Sequence, residues 1–124
     1  MEQLLLHLIG DYLTQSDWMA INKVKRSLPA LIHVTIYSFP FLLLTKSYNA
    51  LFIIWFTHFL IDRFRLARYV VFIKNFIAPQ FPIWNDCKDT GYPSDRPIWL
   101  TAWLLIIADN ILHLTINYIA IRWF

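Results

Sequence analysis

A single cysteine, Cys87, stands among the 124 residues. It excludes an intramolecular disulfide and a Cys-rich zinc site. Glycine occurs twice, and the chain contains neither a phosphate-cradling Gly loop nor a Gly-x-Ser-x-Gly nucleophile turn. Charge is also scarce. Asp, Glu, Lys and Arg make up 15% of the residues against 58% hydrophobic ones, too little to coat a soluble domain of this size. No basic stretch and no small-residue cleavage site frame the first apolar run, so that run is expected in the mature protein rather than in a removed signal.

What is abundant is apolar and aromatic, with six Trp and ten Phe. The apolar residues come in continuous runs, which suits helices facing lipid better than the alternating strands of a barrel. Four runs stand out: residues 4–13, 29–45, 49–61 and 97–121. About 20 residues cross a bilayer core upright. The last run meets that length, the second nearly does, and the third does if its helix continues past Asp62. The first is short, and reads as a half-buried or partly re-entrant helix. The expected fold is all-α, a polytopic transmembrane bundle of about four helices forming a single integral membrane domain over residues 1–124.

The basic residues fall mainly in two connections. Lys23, Lys25 and Arg26 lie in one; Arg63, Arg65, Arg68, Lys74, Lys88 and Arg96 lie in the other. Both are expected on the cytoplasmic side, and this topology accounts for the net charge of +3 without a nucleic-acid partner. Residues 63–77 mix basic and apolar types as an interfacial helix does. Four prolines and Gly91 predict an irregular stretch over 78–97.

The runs carry ionisable residues at helical spacing. The first reads His7-x-x-x-Asp11-x-x-x-Gln15, the third His58-x-x-x-Asp62, and the fourth Asp109-x-x-x-His113-x-x-x-Asn117; the second holds His33. Residues four apart share a helix face. By their distance from the basic loops, Asp11, His33 and His58 lie roughly 6–9 Å inside the cytoplasmic boundary, at 1.5 Å per residue. A charge near the bilayer centre costs about 2.5–3.5 kcal/mol on insertion scales. The runs hold no Lys or Arg to neutralise three aspartates, apart from Arg63 and Arg65 at the rim. Divalent cations shared between carboxylate and imidazole would balance them. The expected ligands are His7, Asp11, His33, His58, Asp62, Asp109 and His113, with Asp11, Asp62 and Asp109 as catalytic carboxylates. Gln15, Tyr37, Asn117 and Thr57 would orient them. Imidazole with carboxylate suits zinc, manganese or iron(II), and two ions are expected. The plainer alternative is that each pair is a hydrogen bond joining helices.

At His7–Gln15 followed by Asp17-Trp18-Met19-Ala20-x-x-Lys23, at His58–Asp62 and at Asp109-Asn110-x-x-His113, the chain resembles a family of small membrane proteins from bacteria and their phages, catalogued as a domain of unknown function. More distantly, the repeated His-x-x-x-Asp resembles bacterial inner-membrane metal-dependent hydrolases and the zinc-dependent phospholipase C and P1-type nuclease group. His58 with Asp62 and His7 with Asp11 match such pairs, whereas Asp109 and His113 run in reverse order.

The resemblance implies a multi-pass protein of the bacterial inner membrane. The expected function is metal-dependent hydrolysis of a phosphoester in a lipid or membrane-associated substrate. Arg63 and Arg65, with Arg68 or Lys74, would receive the phosphate. Membrane lipids are the expected surroundings, and a homo-oligomer would cover the short first helix. The alternative is a non-enzymatic membrane factor, either a metal or proton conduit or a partner-binding protein.

Overall fold

A computed structural model describes residues 1–77 and 82–124. Among the described residues seven α-helices follow in order: α1 (Glu2–Leu8), α2 (Asp17–Asn22), α3 (Ser27–Ser38), α4 (Tyr48–Phe64), α5 (Ala67–Lys74), α6 (Trp84–Cys87) and α7 (Ile98–Trp123). The described residues contain no strand. Helix α1 runs on into a π-helical turn, Ile9–Leu13, closed by the Thr14 amide donating to the Ile9 carbonyl five residues back. Short 3₁₀ turns follow α3 (Phe39–Leu43) and α5 (Asn75–Ile77).

The boundaries have local causes. The Ser16 hydroxyl accepts from the Met19 amide and caps α2. Pro29 falls in the first turn of α3, where no amide donor is needed, while Pro40 cannot continue that helix. Ser47 Oγ accepts from the Ala50 amide at the start of α4 and donates to the Phe124 carbonyl at 2.6 Å. Helix α4 ends where Arg65 takes a left-handed conformation, φ 53°, at a position usually given to glycine.

The chain forms two compact units, Met1–Phe64 with His113–Phe124, and Arg65–Leu112. In the first, α3 packs against α4 and α2. Its apolar core is Tyr37, Phe41, Ala50, Ile54 and Ala120, with Leu6, Leu44, Leu51, Ile53 and Ile121 against it.

The second unit revises the expected interfacial helix. Instead of one helix over 63–77, α4 stops at Phe64 and α5 begins at Ala67. Residues 78–81 of the expected irregular stretch lie outside the described residues; beyond them the single-turn α6 interrupts it. Gly91 (φ 82°) lies so close to the Arg68 carbonyl and the Val71 side chain that a Cβ has no space. Trp84 stacks on Tyr69 at 4.8 Å between ring centroids. Cys87 is buried, and burial, with the Asp86 and Asp95 carboxylates, pushes its thiol up. It is a packing residue.

Among the described residues one helix, α7, is long and apolar enough to cross a membrane. The apolar run Ser27–Leu43 is shorter.

Candidate metal centre

Four segments of the first unit each turn polar side chains into its interior. Helix α1 and its π turn bring His7 and Asp11, α3 brings His33 and Tyr37, α4 brings His58 and Asp62, and the end of α7 brings His113 and Asn117. All four histidines and Asn117 are at most 1% exposed. The π turn matters at its start: Gly10 lies against the Tyr37 ring so closely that a Cβ would meet Cδ2. Only glycine lets the first segment approach α3 this far.

At the centre are four atoms. His33 Nε2 and His58 Nε2 are 3.1 Å apart. Asp11 Oδ1 is 3.2 Å from the first and 3.4 Å from the second. Asp62 Oδ2 is 3.2 and 3.1 Å from the same two atoms. These are five of the six separations among the four atoms, all between 3.1 and 3.4 Å. An ion bound at about 2.0–2.1 Å to four N/O ligands in tetrahedral geometry spaces them by about 3.3–3.4 Å. Hydrogen bonding accounts for the group only in part. Each Nε2 carries one N–H at most and an ionised carboxylate none, so two protons at most serve these five contacts. His33 Nδ1 and His58 Nδ1 have no hydrogen-bond partner among the described residues. Buried His/Asp groups at this centre could therefore hold a metal ion, in the combinations Asp11–His33–His58 and His58–Asp62–His113.

Each carboxylate turns its other oxygen outward to a further histidine. Asp11 Oδ2 is 3.5 Å from His7 Nδ1, and Asp62 Oδ1 is 3.6 Å from His113 Nε2. The Tyr37 hydroxyl lies 2.8 Å from His7 Nδ1 and accepts from Asn117 Nδ2 at 2.6 Å. The His58 ring is packed on both faces, against Tyr37 at 3.8 Å and His113 at 4.0 Å between centroids. His113 joins His58 and Asp62 in the second of the two ligand groups. Replacing Tyr37 by Phe removes both hydroxyl bonds while keeping the ring. The expected cost is about 1–3 kcal/mol, the range for polar groups deprived of a buried partner, read as a lower unfolding temperature. A variant as stable as the parent would mean the hydroxyl is dispensable.

Some expected residues stand elsewhere. Asp109, half-buried one turn before His113, belongs to neither group of ligand atoms. Gln15 Nε2 donates to the Asp11 backbone carbonyl at 3.2 Å, so it supports the π turn rather than the carboxylate. Thr57 bonds its own helix at the Ile53 carbonyl. Arg63 donates to the Val24 carbonyl at 2.9 Å and to Ser27 Oγ at 3.4 Å, tying the α2–α3 connection to α4. Arg65 belongs to the second unit, where its guanidinium donates to the Asp89 carbonyl; Arg68 likewise donates to the Lys88 carbonyl.

One residue was not expected. Lys23, just past α2, places Nζ 2.8 Å from Asp62 Oδ2 and 3.5 Å from His33 Nε2. A cationic side chain therefore does reach the aspartates, contrary to the charge count along the apolar runs. The charge was read as topology because nothing in the spacing tells that α2 folds the connection back over α3.

Over residues 1–123 the chain matches the family described as Protein of unknown function (DUF3307). The chain belongs to this family. The DUF3307 match takes in every residue of the centre, from His7 to Asn117. No curated protein and no solved structure matches the chain.

Proposed function

We propose that this DUF3307 protein is a membrane-embedded, metal-dependent hydrolase of a phosphoester, in a lipid or another membrane-associated substrate. The observation that carries the reading is the close approach of His33 Nε2, His58 Nε2, Asp11 Oδ1 and Asp62 Oδ2, with five separations of 3.1–3.4 Å, a donor set suited to zinc, with manganese or iron(II) as the other candidates. One ion is proposed instead of two. Both ligand groups share His58, and one divalent charge with Lys23 already offsets two carboxylates. A bound divalent ion would acidify a water and draw charge from a phosphoryl oxygen.

The chain's own residues supply the rest. Asp62, held between Lys23 and His113, takes a proton from the attacking water. The water oxygen forms the new P–O bond, the ester P–O bond breaks, and that proton passes to the leaving alkoxide. Asp11, backed by His7, holds the ion.

The membrane setting is supported by α7 and by the large apolar side chains left exposed on the other helices, among them Leu13, Phe39, Leu43 and Phe52. The charge distribution favours a multi-pass arrangement, in the bacterial inner membrane on this reading, with the basic connections toward the cytoplasm.

A second reading rests on one observation. Four protein ligands make a closed set, which is typical of structural ions, and in that case the ion would brace a non-enzymatic membrane factor. A conduit is disfavoured, since the polar layer gives way to the apolar core around Phe41 and Ile54.

Metal analysis of detergent-purified protein, with phosphomonoester and phosphodiester turnover measured alongside, tests these readings. One equivalent of zinc or manganese, with turnover lost on chelation, is expected. Stoichiometric metal without turnover would support the structural ion, and protein purified and reconstituted without metal uptake would defeat both.

A further inference from the structure

We infer that Lys23 is the residue that receives the anionic phosphate group of the substrate at this centre. The inference rests on the metal reading above and deepens it. Four facts point the same way. First, Lys23 is the most exposed contributor: its side chain is 16% exposed, against 11% for Asp11, 5% for Asp62, 1% for His33 and 0% for His58. The centre therefore meets its surroundings on the Lys23 side. Second, an ammonium has three N–H donors. Asp62 Oδ2 takes one at 2.8 Å, and His33 Nε2, at 3.5 Å, turns its lone pair to the ion once the ion is bound. Among the described residues this leaves two donors for oxygens arriving from outside.

Third, the charges favour an anion. Two carboxylates and a divalent ion cancel, and Lys23 leaves the centre with a net positive charge. A neutral ligand gains nothing from that charge, whereas a phosphate oxygen forms a charge-assisted hydrogen bond. Fourth, the arginines that could have done this are engaged. Arg63 holds the Val24 carbonyl, and the Arg65 guanidinium holds the Asp89 carbonyl. The phosphate could belong to a lipid headgroup or to a soluble ester, and Lys23 recognises what the two share.

The test uses the full chain in detergent, loaded with zinc, and inorganic phosphate as the probe in calorimetric titration. Lys23→Met is expected to keep its zinc and to bind phosphate about 10- to 100-fold more weakly, the worth of one hydrogen bond to a charged group. Lys23→Arg should retain most of the affinity. A Lys23→Met protein that holds zinc and binds phosphate as the parent does overturns the inference and leaves the metal centre standing. A parent that takes up no zinc overturns the metal reading itself.

A second measurement needs no variant. Reductive methylation of Lys23 in the parent, followed by mass spectrometry, should slow several-fold when phosphate is present. An unchanged rate counts against the inference even if Lys23→Met fails to fold. Comparing short-chain phosphatidic acid with glycerol phosphate in the same detergent then identifies the source. Binding of either supports the inference, the tighter one being the natural class, and binding of neither overturns it.

Discussion

Replacing His58 by glutamine should strip the metal from the purified protein and abolish its response to chelators. His58 Nε2 takes part in three of the five short separations at the centre, to His33, Asp11 and Asp62, and His58 is the one residue that both ligand groups share. Partners behind metal ligands are worth roughly 10- to 100-fold in affinity. His7→Ala should fall in that range and His58→Gln well beyond it. Asp109→Asn should keep the parent's affinity, because Asp109 stands outside both ligand groups. Packing loss is separated from metal loss by thermal unfolding with and without a chelator. At an ion concentration 100 times its dissociation constant, binding adds about 2.7 kcal/mol. The parent should lose that stability on chelation, while His58→Gln should unfold at one temperature in both conditions. If His58→Gln retains stoichiometric ion, this group of four atoms is not the binding site.

The second large effect is expected at Gly10. Alanine is the better helix former by about 1 kcal/mol, and on an open helix face Gly10→Ala would stabilise. Here the new methyl collides with the Tyr37 ring. Overpacking a filled interior costs about 1–3 kcal/mol and sometimes more. Tyr37 cannot retreat cheaply, since its ring lies on His58 at 3.8 Å and its hydroxyl is bound to His7 and Asn117. The steric term therefore exceeds propensity. Gly10→Ala should unfold at a distinctly lower temperature and bind metal less tightly, because the displaced ring bears directly on the ligand His58. A stabilised Gly10→Ala protein would show that the first segment and α3 are further apart than described.

Much of this centre was legible from spacing alone. His7 with Asp11 and His58 with Asp62, each four residues apart, do face one interior, and His33 joins them. Tyr37 and Asn117 do support them. The fourth segment was ambiguous, because His113 has a polar residue four positions before it and another four after. The structure uses the later one: Asn117 reaches the Tyr37 hydroxyl, and Asp109 is not among the ligand atoms. Three helices thus carry one order, His-x-x-x-Asp twice and His-x-x-x-Asn once. Lys23 was illegible for a different reason. Its position depends on the path of a connection, and periodicity within a helix says nothing about how far a loop residue reaches. The all-α class was plain from composition, whereas among the described residues only α7 has the length of the four spans expected; the break at Arg65 was not legible, since arginine carries no signature of a left-handed turn.

The ring of His58 is clamped between two others and sends its second nitrogen into a place without a hydrogen-bonding neighbour among the described residues. Such an imidazole cannot turn over to exchange its nitrogens, so the atom offered to the ion is chosen by steric confinement. An ion held there could not be shed by a swinging ligand. It would leave only when the helices part, and its residence time would report how often this small bundle breathes.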